Sequence, residues 1–220
     1  LQHRGACGCD QDTGDGAGIL LQTPDRFLRE EATRLGYKLP AAGDYAVALA
    51  FLPKESAVRA ACKGRLENAC AAEGLTVVGW RPVPVRSEAI GWLARTQEPV
   101  MEQLFVARGK ETPDGDGFER ALYVARRRVE RWAHDAAPAT DPLWFTVPSM
   151  SHRTLVYKGM LKADQLSEYF PDLAHPGMES AFAIVHSRYS TNTLPQWSLA
   201  HPFHQNTPTA EINTVQGNAQ

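Results

Sequence analysis

Eight consecutive apolar residues, Tyr45–Leu52, stand between Asp44 and Pro53. A run of that length, cut off by a charge and a proline, reads most simply as a buried strand. Helical patterns lie on either side of it. Residues 55–73 place Val58, Ala61, Cys62, Leu66 and Ala69 at three- and four-residue steps, and Gly74 closes the segment. Residues 24–35 form a shorter helix with Pro24 at its start. Residues 118–134 put Leu122, Ala125, Val129 and Trp132 on one side of a third helix, after the turn-rich loop 110–117. Further strands are expected at 19–22, 76–85 and Val100–Ala107, with a pair at 143–147 and 153–158 around a turn at 148–151. A short helix is expected at 162–170. This alternation argues for mixed α and β structure in packed layers. At 220 residues and 43% hydrophobic content the chain fits one domain, or one large domain cut short, with a sizeable core.

Several function classes fall away. A net charge of −2 leaves no general basic field for nucleic acid or a membrane surface. Arg126, Arg127 and Arg128 are interleaved with Glu119, Glu130 and Asp135, so they read as a solvated helix face. No apolar run approaches the roughly 18 residues of a membrane span. The opening residues, Leu1-Gln2-His3-Arg4, are neither a start methionine nor a signal peptide. Four cysteines, Cys7, Cys9, Cys62 and Cys70, suggest free thiols in a reducing compartment, which makes the cytoplasm the expected location. Cys7 and Cys9 are too closely spaced for a zinc knuckle, and no metal site is expected. Cys62 and Cys70 fall on the packed face of their helix. The loop 14–18 lacks the glycine spacing of a phosphate cradle. Asp10, Asp12 and Asp15 fail as a calcium loop, because Leu21 stands where a bidentate glutamate belongs.

One stretch carries polar chemistry. Phe182, Ile184 and Val185 read as a buried strand that runs into His186, Ser187 and Arg188, followed by Ser190-Thr191-Asn192-Thr193. Arg188 is suited to grip a carboxylate through a two-pronged guanidinium contact, and the hydroxyls and amide after it suit a small polar ligand. A structural ion pair beside a capping turn explains the local sequence equally well.

Four motifs, in order, extend this reading. His3-Arg4-Gly5-Ala6-Cys7-Gly8-Cys9-Asp10 with Thr13-Gly14-Asp15-Gly16-Ala17-Gly18-Ile19 is the first. Arg153-Thr154-Leu155-Val156-Tyr157-Lys158-Gly159-Met160-Leu161 is the second, and His186 to Thr193 the third. Glu211-Ile212-Asn213-Thr214-Val215-Gln216-Gly217-Asn218 is the fourth. Together they resemble the class II glutamine amidotransferase domain of the glutamate synthases across nearly the whole chain. The resemblance implies an α+β fold, a four-layer αββα sandwich of the N-terminal-nucleophile hydrolase type, with residues 1–220 forming a partial domain that lacks its first strand and its C-terminal part. It implies a glutaminase that hydrolyses L-glutamine to glutamate and ammonia, the ammonia then passing to 2-oxoglutarate.

Carried over by position, Arg188 would bind the glutamine α-carboxylate, and Ser190, Thr191, Asn192 and Thr193 would line the same pocket. Glu211 would border the α-amino end, and Arg4 would order the loop beneath the nucleophile. No cofactor belongs to this region; FMN and an iron–sulfur cluster are implied for the full-length enzyme only. The implied partners are L-glutamine, the remaining synthase domains and a small electron-transfer subunit, with no nucleic acid and no membrane.

Two departures from the family pattern set limits. The nucleophilic cysteine of the family precedes His-Arg-Gly and is not within these residues, and Cys7 and Cys9 belong to the glycine-aspartate loop instead. The family's Asn-Gly oxyanion pair is represented by Thr209 and Ala210, after Pro208. Losing one oxyanion donor costs on the order of 10²–10³ in rate. The chain by itself is therefore expected to be inactive, as a fragment of a working enzyme or as a non-catalytic glutamine-binding or regulatory domain.

Overall fold

The computed structural model describes residues 12–137, 144–187, 196–200 and 202. The described chain runs β1 (Ala17–Gln22), α1 (Asp25–Arg34), β2 (Tyr45–Leu52), α2 (Ser56–Ala72), β3 (Thr76–Pro82), α3 (Trp92–Thr96), β4 (Val100–Ala107), α4 (Asp116–Asp135), β5 (Thr146–Ser151), β6 (Thr154–Gly159), α5 (Leu166–Tyr169) and β7 (Ala183–His186). The strands form two antiparallel sheets, one ordered β6-β1-β7 and the other β3-β4-β2-β5. This is an α+β sandwich. Among the described residues no helix is long and apolar enough to cross a membrane.

β2 shows why the layers stack. It is buried along its whole length, and its residues alternate in size. Tyr45, Val47, Leu49 and Phe51 face the core between the sheets, where Ala17, Leu155 and Tyr157 meet them. Ala46, Ala48, Ala50 and Leu52 face the other way, onto Cys62, Leu66, Phe118, Leu122 and Ala125 of α2 and α4. Since successive strand side chains point to opposite faces, small residues on the outer face let two helices lie close while bulky ones fill the inter-sheet space. The described residues thus supply three layers: the helices α2 and α4, the four-stranded sheet and the three-stranded sheet.

A buried polar network joins these layers. Arg81 of β3 is 1% exposed and donates two bonds to Asp172, of 2.8 and 2.7 Å. Its Nε donates to Glu31 of α1 at 2.8 Å, and Nη1 to Gln103 of β4 at 3.0 Å. Tyr157, on β6 of the other sheet, donates its hydroxyl proton to Asp172 at 2.8 Å. Burial opposes the Arg81 charge, but Asp172 holds its pKa above the ordinary value. Arg34, then Arg81, holds the Glu31 carboxyl down at about 2.

The structure changes one expected pairing. The segments read as partners around a turn at 148–151 are β5 and β6, with the turn at His152 and Arg153, and they join different sheets: β5 ladders with β2 and β6 with β1. Pro148 lies inside β5, which is an edge strand, the place in a sheet where a missing N–H is tolerated. Residues 162–170, expected as one helix, divide into a 3₁₀ turn at Ala163–Gln165 and the short α5. Arg127 and Arg128 are more than half exposed and paired with Glu130 and Glu73, as a solvated face requires, whereas Arg126 is only 15% exposed and turns inward beside Glu130. Cys62 and Cys70 are fully buried, and burial pushes their thiols up to about 11 and about 12, so they are packing residues.

Candidate functional site

The strands of the smaller sheet deliver three motifs to one end of it. In register, Gly18 of β1 lies opposite Lys158 of β6 on one side and His186 of β7 on the other. Directly opposed residues point to the same face, so Lys158 and His186 flank a position with no side chain. Ala17 and Gly159 pair one step further along. β1 begins at this end and β7 finishes at it, so the chain leading in from the His-Arg-Gly motif and the chain leading out to Arg188 both adjoin it.

The segment entering β1 is held closely. Thr13 is fully buried, and its hydroxyl oxygen accepts from the Ala94 N–H at 3.3 Å. The Asp12 carbonyl accepts from the Gly91 N–H at 2.9 Å and from the Gln165 side-chain amide at 2.8 Å. Lys162 reaches the Asp12 carboxylate at 3.3 Å. Gly14 passes so near β6's continuation that a Cβ there would lie 2.2 Å from the Leu161 carbonyl carbon. Glycine is required at that crossing for closeness of approach.

The segment following residue 195 is anchored beside it. Trp197 packs across Gly159, where a Cβ would come within 2.3 Å of the indole, and its ring N–H donates to the Ala94 carbonyl at 3.0 Å. Lys158 Nζ donates to the Ser198 carbonyl at 2.9 Å. Lys158 is 1% exposed, and its burial, reinforced by the nearby Arg126 and opposed by Glu130, lowers its pKa to about 7.

The residues that the sequence singled out for chemistry are Arg4, Arg188, Ser190, Thr191, Asn192, Thr193, Thr209, Ala210 and Glu211. All lie outside the described residues, as do Cys7 and Cys9. The described residues that adjoin them along the chain are Asp12 to Gly16 ahead of β1, His186 at the end of β7 with Ser187 after it, and Gln196 to Ala200. Lys158 belongs to the second motif, which assigns it no task, and Trp197 stands outside all four motifs. A lone lysine in the apolar run Leu155-Val156-Tyr157-Lys158-Gly159-Met160-Leu161 was the available signal, because an unaccompanied charge in a buried strand needs a partner. A cleft of about 470 Å³ opens at the far end of the same strands, beside Gln22, Thr154 and Phe182. The strand expected to be buried here is, among the described residues, an exposed edge instead, with Phe182 49% and Val185 47% exposed.

The family profile of the class-II glutamine amidotransferases matches residues 1–220. The chain belongs to that family. Among its relatives, the glutamate synthase [NADPH] large chain of Bacillus subtilis is 40% identical over 218 residues, covering 99% of this chain and 14% of that protein. The glutamate synthase [NADPH] large chain of Azospirillum brasilense is 42% identical over 217 residues, covering 98% and 14%. A ferredoxin-dependent glutamate synthase of Synechocystis is 39% identical over 219 residues, covering 99% and 13%. The chain thus spans about one-seventh of the length of the relatives it matches.

Proposed function

We propose that this chain is the glutaminase region of a glutamate synthase large subunit, releasing ammonia from L-glutamine for transfer to 2-oxoglutarate. The observation that carries the reading is similarity at about 40% identity to glutamate synthases along 99% of the chain. The convergence of three motif segments on one end of the β6-β1-β7 sheet supports it.

In this account Arg188 grips the α-carboxylate of glutamine, Ser190 to Thr193 line the pocket, and Glu211 borders its α-amino end. Arg4 orders the loop under an N-terminal cysteine. The thiol attacks the side-chain amide carbon while the cysteine's own α-amine takes the thiol proton and passes it to the departing ammonia. Water then hydrolyses the thioester, giving glutamate and restoring the thiol. Thr209 and Ala210 occupy the oxyanion position with fewer donors than Asn and Gly supply. Electron transfer through FMN, an iron–sulfur cluster and a small partner subunit belongs to other domains in this reading. Among the described residues no group of three His, Cys, Asp or Glu side chains is gathered to hold a metal.

The test is reconstruction. A chain extended upstream to begin on the family's cysteine, and carrying Pro208→His, Thr209→Asn and Ala210→Gly, is expected to release glutamate and ammonia in equal amounts. A correctly folded reconstruction that releases neither would show the reading to be wrong. The Pro208-Thr209-Ala210 sequence favours a second reading, a glutamine-binding regulatory domain. That reading predicts saturable binding and no turnover in the protein that keeps its natural residues at those positions.

A further inference from the structure

The cleft at the far end of the smaller sheet is walled by four separate parts of the chain. Gln22 and Thr23 leave β1 there, and the turn at His152 and Arg153 joins β5 to β6. Ala42 and Gly43 lead into β2, and Phe182 leads into β7. The volume of about 470 Å³ falls within the roughly 300–1,000 Å³ of small-molecule sites. Five strand steps along β1 set the cleft about 17 Å from the end where that strand begins, opposite the candidate site.

Two opposite charges line the cleft, and Thr23 ties their main chains together. Its N–H donates to the Arg153 carbonyl at 2.8 Å and its hydroxyl to the His152 carbonyl at 3.1 Å, while Asp25 follows two residues later as the first residue of α1. Neither charge is saturated. Asp25 Oδ1 accepts from the Tyr45 hydroxyl and Oδ2 from Arg29 Nε, both at 2.9 Å, and the side chain is 39% exposed. A carboxylate has about four lone-pair sites, so each oxygen keeps one for a further donor. Arg153 gives one N–H, from Nη2, to Asp116 at 2.6 Å, and its Nε and Nη1 have no partner among the described residues. With these two side chains 52% and 82% exposed, their pair contributes little and yields readily to another anion.

Asp25 is balanced by Arg29 and Arg153 by Asp116, so the cleft favours neither a net cation nor a net anion. It suits a ligand that carries one charge of each sign. The Gln22 side-chain oxygen accepts from the Ala181 N–H at 3.4 Å, which leaves its amide N–H groups to donate. Beside these polar groups stands Phe182, 49% exposed. A Cβ at Gly43 would meet nothing within 4 Å, so that wall is open to entry.

We propose that this cleft binds a free α-amino acid with an apolar side chain. The ammonium donates to Asp25, the carboxylate accepts from Arg153 and the Gln22 amide, and the side chain covers Phe182. An α-amino acid carries its two charges on neighbouring atoms of one carbon, which matches charged residues joined through Thr23. The inference does not depend on the glutaminase reading.

The experiment is calorimetric titration of the full chain with L-phenylalanine, whose ring is matched to Phe182. Two derivatives are titrated beside it: N-acetyl-L-phenylalanine lacks the ammonium, and L-phenylalaninamide lacks the carboxylate. A saturable isotherm is expected for L-phenylalanine, with a Kd at least about tenfold higher for either derivative, since each loses a charge-assisted contact. Arg153→Gln should weaken L-phenylalanine binding by about tenfold or more while changing that of the amide little, because the amide has no carboxylate to hold. Asp25→Asn should likewise weaken L-phenylalanine and spare the acetylated compound. If Asp25→Asn fails to fold, Arg153→Gln decides the matter alone. No saturation in the folded parent overturns the inference, as does equal affinity for the three compounds. L-phenylalanine affinity retained in either folded variant also overturns it, since the ligand then sits elsewhere.

Discussion

Asp172→Ala is expected to cost about 3–5 kcal/mol of folding stability, the range for removing one partner of a buried ion pair. The measurement is the midpoint of urea unfolding at constant m-value. The reason lies in what stays behind. Arg81 is 1% exposed and takes both oxygens of Asp172, so truncation leaves a guanidinium in the core with Glu31 as its remaining carboxylate. Tyr157 loses the acceptor of its hydroxyl as well. Because Tyr157 belongs to the smaller sheet and Arg81 to the larger, the loss falls on the joint between them. Asp172→Asn keeps the shape and one carbonyl acceptor, and its cost should be visibly smaller.

Gly14→Ala should be the most damaging single methyl addition near the candidate site, costing about 3 kcal/mol or more. The new Cβ would stand 2.2 Å from the Leu161 carbonyl carbon, 2.3 Å from its oxygen and 2.4 Å from the Lys162 nitrogen. All three are main-chain atoms, so no rotamer change relieves the contact. Neither side can retreat freely. Asp12 and Thr13 are tied to α3, and the Lys162 N–H is tied to the Gln165 side chain at 2.8 Å. Gly64→Ala is the matching control. Gly64 lies inside α2 with nothing within 4 Å of a Cβ, and the same methyl there should stabilise by roughly 0.5–1 kcal/mol. Unfolding curves of the two variants should therefore move in opposite directions from the parent.

The parts of this fold legible in the sequence were those whose signal is local. Tyr45–Leu52 announced a buried strand because its two ends are marked by a charge and a proline. α4 was legible from its apolar stripe of Leu122, Ala125 and Val129, all of which the structure buries. Pro148 misled, since proline is as much an edge-strand residue as a turn residue and only the neighbouring strands decide between them. α3 left no periodic trace, being too short for one, and it carries the node at Ala94. The Arg81 network was out of reach for another reason. Its partners stand 50 and 91 residues away, and no spacing rule links them. The candidate site divides the same way. Motif resemblance singled out Arg4, Arg188, Ser190 to Thr193 and Glu211 without any geometry, and all of them lie outside the described residues. The anchors on either side, Lys158 and Trp197, emerged only from contacts between remote segments.

Glutamine binding that depends on Arg188 is the central claim, and titration of the parent chain beside Arg188→Ala tests it most directly. The account predicts a saturable isotherm for the parent. In the variant the Kd rises at least about 30-fold, since a paired, charge-assisted contact to a carboxylate contributes about 2 kcal/mol or more. Equal glutamine affinity in the two proteins, both folded, would contradict it.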